Sequence, residues 1–272
     1  MILGKSFLGR ARMLRGGFFT FLLAGYAIHS EAVIYTITST ANGTTYTAGY
    51  DNSVSGLTSW TAGGMNQLAL QSLYYSENNG AVSQLTSPTV VNHGAASLTA
   101  TYSISGIVSV ADTVTLNGNT LGEQIKFSNL TGSSQIFSIF QYSDFVLGGA
   151  PGFQNVSMLN NGATQAFTTQ TGGGATLNWS GQLAGGVVKV QANSGGVPFG
   201  AFVGPATALD NVTLNASGNA VFGYEFDGSL LSGNSLTISE TSTLAVPEPA
   251  PLALISLGML VLGWLHRCRR DV

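Results

Sequence analysis

Charged side chains are scarce in this sequence and unevenly distributed. They make up 8% of the 272 residues, against about 25% in ordinary soluble proteins. Between Val33 and Val246 the chain has nine acidic residues and only two basic ones, Lys126 and Lys189, so this body has a formal charge of −7. A nucleic-acid groove needs several cations to neutralise phosphates. We therefore expect the body not to bind nucleic acid.

Cysteine and histidine are nearly absent from the body. The single cysteine is Cys268, so the body has no disulfide, thiolate nucleophile or cysteine-based metal site. Its one histidine, His93, lies in a loop-like segment, which favours a solvated side chain over a Ser-His-Asp triad because no Gly-x-Ser-x-Gly elbow occurs. Walker loops, zinc-ligand spacings and dinucleotide fingerprints are also missing. We predict no catalytic residues, cofactor or metal.

The first 32 residues have the pattern of a secretory signal peptide. A basic start ending at Arg15 precedes a short apolar run at residues 16–28, whose length is typical of a signal sequence. Ser30 and Ala32 are small residues at the spacing that signal peptidase accepts. We predict cleavage between Ala32 and Val33, with an uncleaved N-terminal anchor as the alternative.

The C-terminal residues form three consecutive parts. Residues 246–251 read VPEPAP, residues 252–265 are apolar, and basic residues follow at Arg267, Arg269 and Arg270. A proline is tolerated in the first turn of a helix, so we predict a transmembrane helix over about residues 250–265, roughly 24 Å long. Arginines beyond it should stay in the cytoplasm, which places the body outside. A core helix is the alternative for an isolated apolar run.

This three-part tail resembles the PEP-CTERM sorting signal of exported bacterial proteins. Val246, Pro247, Glu248 and Pro249 match the family's motif, and the resemblance covers residues 246–270. It implies that a membrane protease, exosortase, recognises and removes the tail during export. The chain would then be anchored transiently in the inner membrane before it reaches the cell surface or the extracellular space. A short helix and a basic cluster interrupted by Cys268 depart from the pattern.

Residues 33–245 predict an all-β domain. Short β-branched and aromatic runs alternate with Gly, Asn and Ser clusters, and period-two alternation is strong at residues 97–105, 108–116 and 135–146. Asn-Gly pairs at residues 117–118 and 161–162 predict hairpin turns. Helical periodicity is weak and confined to residues 65–74. This pattern predicts an antiparallel β-sandwich or jelly roll.

A few body residues are candidates for glycan or calcium binding. Glu225 and Asp227 lie two apart on a predicted strand, where paired carboxylates could act on a glycan or ligate Ca²⁺. The simpler interpretation places both acids in water and the intervening aromatic residues inward. Asp144 and Asp210 are further conceivable calcium ligands, and an exposed Trp60 could form a sugar platform.

The leading functional hypothesis is a non-enzymatic exported protein, associated with the cell surface or an extracellular matrix. Signal peptidase and exosortase are its expected partners. The alternative is a domain that binds or acts on carbohydrate, with extracellular polysaccharide as the partner. The sequence does not identify a ligand for the body.

Overall fold

Two antiparallel β-sheets packed on one core form the body of the protein. The computed structural model describes residues 32–54, 56–200 and 208–247. Strands occupy most of these ranges and the two sheets form a sandwich, which confirms the all-β prediction.

The first sheet contains nine strands. They are β1 (Ile34–Ala41), β2 (Thr44–Asp51), β3 (Gly56–Ala62), β4 (Met65–Asn66), β5 (Leu68–Glu77), β6 (Ser83–Gln84), β11 (Gln135–Phe145), β15 (Val187–Ser194) and β17 (Ala220–Leu230). Seven of them follow in the order β1-β2-β3-β5-β11-β17-β15, while β4 pairs with β3 and β6 with β5.

The second sheet also contains nine strands. They are β7 (Thr89–Asn92), β8 (Ser97–Ile104), β9 (Val108–Asn117), β10 (Thr120–Asn129), β12 (Gln154–Asn160), β13 (Gln165–Gly172), β14 (Ala175–Leu183), β16 (Asn215–Gly218) and β18 (Ser235–Ala245). Their order is β16-β12-β13-β14-β18-β10-β9-β8-β7. The last strand of the described chain, β18, therefore lies inside the sheet.

The alternation of side chains decides which face of each strand enters the core. In β9 every second residue from Val108 to Leu116 is buried, and β10 shows the same pattern. The predicted Asn-Gly turns join β9 to β10 and β12 to β13. The weak helical expectation for residues 65–74 is wrong, because β4 and β5 occupy this range and pair with β3 and β11.

Aromatic rings fill the space between the two sheets. Phe145 stacks on Phe222 and meets the edges of Trp60 and Trp179. Trp179 also packs against Tyr224. Both tryptophans are buried, with Trp60 only 1% exposed. The expectation of an exposed Trp60 is therefore wrong, because β3 turns this side chain towards the core.

The described ranges contain no helix that is both long enough and apolar enough to cross a membrane. Residues 1–31 of the predicted signal peptide, which covers residues 1–32, and the predicted helix at residues 250–265 lie outside the described residues. Both residues of the predicted cleavage bond, Ala32 and Val33, are exposed just before β1. The Val33 backbone N–H donates a 2.9 Å hydrogen bond to Asn52 Oδ1.

Three carboxyl groups are buried side by side in the core. Asp112, Glu123 and Glu240 lie on the neighbouring strands β9, β10 and β18, and all three are at least 96% buried. Across the core, Gln71 and Gln141 of the first sheet donate hydrogen bonds of 2.6 and 2.8 Å to Glu123 Oε2. We call these three acids the core carboxyl cluster.

Burial makes the charged form of these carboxyl groups unfavourable. It raises the pKa of Glu123 to about 7, although hydrogen bonds from Gln71 and Gln141 act in the opposite direction. Burial, followed by the negative charge of Glu123, raises the pKa values of Asp112 and Glu240 well above their usual range. The ion pairs within the described ranges all involve Lys189, which bonds other acids.

The core carboxyl cluster should make the protein less stable as pH rises. Carboxyl groups with raised pKa values hold more protons in the folded than in the unfolded chain. The free energy of unfolding therefore falls as pH rises from the unfolded pKa values of about 4 through the raised folded ones, of which that of Glu123 is about 7. Each proton released on unfolding contributes a slope of about 1.4 kcal/mol per pH unit. Glu240→Gln should reduce this slope, as measured by urea unfolding between pH 5 and pH 8.

A matched control is available on the same sheet. Gln124→Glu adds a carboxyl group on the solvent face of β10, directly after Glu123, and should leave the pH dependence unchanged because its side chain is exposed. A parent protein whose free energy of unfolding increases from pH 5 to pH 8 would contradict the raised pKa values.

Close packing of β3 against β5 predicts a sharp difference between two glycines. An added Cβ at Gly56 would lie 1.8 Å from the backbone oxygen of Gln71, whereas at Gly132 it would meet no atom within 4 Å. Gly56→Ala should therefore lower the free energy of unfolding by about 1–3 kcal/mol or more, and Gly132→Ala should change it little. Urea unfolding of the two variants tests this, and equal stabilities would contradict the close approach.

Candidate functional site

The first two residues of the predicted sorting motif lie at the end of β18. Val246 is half-buried against the core, and Pro247 is exposed. Glu248, Pro249 and the basic residues Arg267, Arg269 and Arg270 lie outside the described residues. The motif thus begins directly where the sandwich ends.

The residues before the motif are held on both sides. Ala245 pairs with Thr176 of β14, and Thr243 pairs with Thr120 of β10. Leu244 accepts a 2.9 Å hydrogen bond from Asn119 Nδ2, and its N–H donates to the Asn119 carbonyl, also at 2.9 Å. The backbone up to Ala245 is therefore part of the sheet. A protease that binds extended chain can reach only the residues beyond Ala245.

Glu225 and Asp227 lie on the outer face of the first sheet, as alternation along β17 predicts. Lys189 Nζ on neighbouring β15 lies 2.8 Å from Glu225 Oε1 and 2.7 Å from Asp227 Oδ2. Ser138 on β11 donates a 2.5 Å hydrogen bond to Asp227 Oδ1. Antiparallel pairing explains this group, because Lys189 is opposite Glu225 and Ser138 is opposite Asp227.

The prediction that Glu225 faces water is wrong. Its side chain is 2% exposed, while that of Asp227 is 26% exposed. The difference arises because residues around Leu209 cover this part of the sheet, and the Leu209 N–H donates a 2.5 Å hydrogen bond to Glu225 Oε2.

A second apolar cluster continues this covered surface. Phe199 stacks on Tyr74 with ring centroids 3.8 Å apart and meets the edges of Phe140 and Tyr142. The Tyr142 hydroxyl donates a 2.8 Å hydrogen bond to the Val197 carbonyl. The outer face of the first sheet therefore anchors the segments around residues 197–199 and 209.

Burial also sets the electrostatics of the outer acids. It raises the pKa of Glu225 to about 7, although hydrogen bonds from Lys189 and from the Leu209 N–H favour the charged form. Both oxygens of Glu225 already accept hydrogen bonds, from Lys189 and from Leu209. This arrangement suits a carboxyl group that holds the covering segment in place better than one that takes a proton from a substrate.

The two other candidate calcium ligands have separate surroundings. Burial raises the pKa of Asp144, which lies near the end of β11. Asp210 accepts hydrogen bonds from the N–H groups of Val212 and Thr213 and from the Thr213 hydroxyl, which identifies it as a turn-capping residue. Among the described residues, no group of three or more His, Cys, Asp or Glu side chains is arranged to hold a metal ion.

His93 is exposed after β7, and its Nε2 lies 3.0 Å from the Thr99 hydroxyl.

The core carboxyl cluster was not predicted from the sequence. Its three acids are up to 128 positions apart in the chain, and only the strand order of the second sheet brings them together. The available signal was the position of Asp112, Glu123 and Glu240 in alternating strands, in phase with the apolar residues that face inward.

The fold is similar to several solved structures whose names refer to carbohydrate-active proteins, at very low sequence identity. A bacterial glucoamylase complexed with acarbose is 13% identical with a TM-score of 0.56, over 82% of this chain and 34% of the glucoamylase. The GalM/aldose epimerase homologue from C. elegans is 9% identical with a TM-score of 0.51, over 80% of this chain and all of that protein.

A polysaccharide lyase is 11% identical with a TM-score of 0.52, over 77% of this chain and 33% of the lyase. This chain thus spans about a third of the glucoamylase and of the lyase. At these identities the similarity concerns the fold alone. No curated protein matches the sequence.

The C-terminal residues match a known family. Residues 245–270 match the PEP-CTERM protein-sorting motif, which begins at the last residue of β18 and includes the Val-Pro-Glu-Pro sequence. The motif implies export and processing by exosortase, a membrane protein. This chain carries a PEP-CTERM protein-sorting motif, attached directly to the last strand of a two-sheet β-sandwich.

Proposed function

We propose that this protein is an exported, non-enzymatic β-sandwich that its tail anchors transiently in the membrane and that exosortase releases to the cell surface or an extracellular matrix. The observation that supports it is the PEP-CTERM motif at residues 245–270, which follows β18 without a linker. The low charge of the body and the burial of four of its acids, Asp112, Glu123, Glu225 and Glu240, agree with a structural role.

Processing should leave the sandwich intact. β18 ends at Ala245, which pairs with Thr176 of β14. Removal of the tail beyond Ala245 therefore leaves every strand of the sheet in place. The mature chain should run from about Val33 to the vicinity of Val246, after removal of the signal peptide and the tail.

Intact mass of the protein in separated membrane and medium fractions of its native host tests this proposal. We expect a species near residues 33–246 outside the membrane. Replacing Pro247 and Pro249 by Ala should cause full-length protein to accumulate in the membrane, while Gln124→Ala on the solvent face of β10 should not. Full-length parent protein in the membrane, with no shorter species, would contradict the proposal.

A second candidate function is binding of an extracellular polysaccharide. One cleft favours it: a space of about 510 Å³ on β12, β13 and β16 is lined mainly by neutral hydrogen-bonding side chains, including Asn155, Thr171, Asn215 and Ser217. Amide and hydroxyl groups of this kind can pair with sugar hydroxyls. The structural neighbours named for glucoamylase and polysaccharide lyase activity share only the fold.

Calorimetric titration of neutral and acidic polysaccharides, with and without Ca²⁺, tests the second candidate. Binding should weaken at least severalfold in Asn155→Ala and Asn215→Ala, because each removes an amide that lines the cleft. Gln124→Ala, which is distant from the cleft in the strand order, serves as the control. Absence of binding, or equal loss in the control, would count against this candidate.

A further inference from the structure

Several turns of the sandwich gather around the point where the chain leaves β18. They comprise residues 42–43, 63–64, 118–119, 146–153 and 173–174. Together with Val246 and Pro247, residues of these turns line a cleft of about 900 Å³. We call this part of the sandwich the exit end.

Direct contacts join these turns to one another. The Gly118 N–H donates a 2.8 Å hydrogen bond to Ser39 Oγ near the end of β1, and the Gly63 N–H donates to the Thr45 carbonyl at 3.1 Å. Gly148 and Gly173 approach so closely that neither could carry a Cβ without displacement. The exit end is therefore one continuous surface.

The turns of the exit end carry no formal charge, because none of them contains Asp, Glu, Lys or Arg. The nearest acids along the chain are Asp144, half-buried one residue before the end of β11, and Glu248 of the sorting motif. In contrast, Asp51 and Glu77 end strands β2 and β5 at the opposite end of the sandwich. Acidic groups are repelled by anionic lipid headgroups, so the distribution of charge favours the exit end as the side nearest a membrane.

Two exposed apolar side chains lie at the exit end. Phe153 is 79% exposed, and Met65 is 52% exposed beside the turn at Gly149. Aromatic side chains are favoured at the headgroup level of a bilayer. Exposed apolar residues alone do not distinguish this end, since Leu130 and Leu231 are also exposed at the opposite end.

The exit end differs from the opposite end because the tail leaves the sandwich there, with only a short segment of chain before the predicted membrane helix. From Pro247 to residue 250, where the membrane helix is predicted to begin, there are three residues, which span at most about 11 Å. That reach exceeds the interfacial layer on one side of a bilayer, about 5–8 Å thick, by only a few ångströms. An anchored chain cannot hold the sandwich far from the lipid.

We propose that the exit end is a membrane-facing surface that rests on the lipid headgroups of the outer leaflet while the tail is anchored. This inference relies on the proposed anchoring by the tail. Phe153 and Met65 enter the interfacial layer, and the acidic residues at the opposite end point to the aqueous side. Removal of the tail frees the body because this uncharged surface has no cation to hold it on anionic lipid.

Fluorescence quenching in lipid vesicles tests the orientation. The full-length chain is purified from membranes of export-competent cells that lack exosortase. It carries Cys268→Ser, so that a single engineered cysteine can be labelled with an environment-sensitive probe. The vesicles contain phosphatidylethanolamine and phosphatidylglycerol with a headgroup spin-labelled lipid. We expect quenching of a Phe153→Cys probe to be several times stronger than that of a matched Leu231→Cys probe, because only Phe153 lies at the exit end.

Each other outcome overturns the inference in a distinct way. A chain that fails to float with the vesicles would contradict anchoring by the tail, and the membrane-facing surface with it. A chain that floats but shows equal quenching at both positions would overturn the surface alone. The Phe153→Cys probe could instead remain unquenched by lipid and become shielded from aqueous iodide only when exosortase is added. That result would overturn the membrane-facing surface and identify the exit end as a surface that binds the protease. Matching circular dichroism of the two labelled variants ensures that both carry the same fold.

Discussion

Pairing of β18 on both sides is the constraint on which the rest of this structure depends. The strand lies between β10 and β14 inside the second sheet, and its inward residues contact the common core. Because the PEP-CTERM motif begins at its last residue, the sorting tail is attached to one of the most firmly held parts of the body. Sorting and folding are thereby linked: the tail emerges at a fixed place, beside a fixed set of turns.

The scarcity of charge has different consequences in different parts of the molecule. In the core, three carboxyl groups without a neighbouring cation favour their protonated forms, so their burial is tolerated best at low pH. On the outer face of the first sheet, Lys189 bridges two acids and helps to hold a covering segment. At the exit end, the absence of charge leaves a surface compatible with the lipid interface.

Much of the fold could be predicted from local pattern. Alternation identified β8 and β9 nearly to their ends, because a half-buried strand repeats its environment every two residues. The same reasoning failed at residues 65–74. There the apolar residues of β5 lie on both faces of the strand, because the outer face of the first sheet is also covered around Tyr74 and Phe140. A strand buried on both sides loses its alternation and resembles a helix in sequence.

The site residues divide in the same manner. The sequence by itself determined the sorting tail, because a motif, an apolar run and a basic cluster act through their order along the chain. It also determined which β17 residues share a face. Only the tertiary structure decided that Trp60 is enclosed, that Leu209 covers Glu225, and that Asp112, Glu123 and Glu240 meet in the core. These contacts join residues far apart in sequence, so strand order and sheet packing, which no local pattern encodes, had to bring them together.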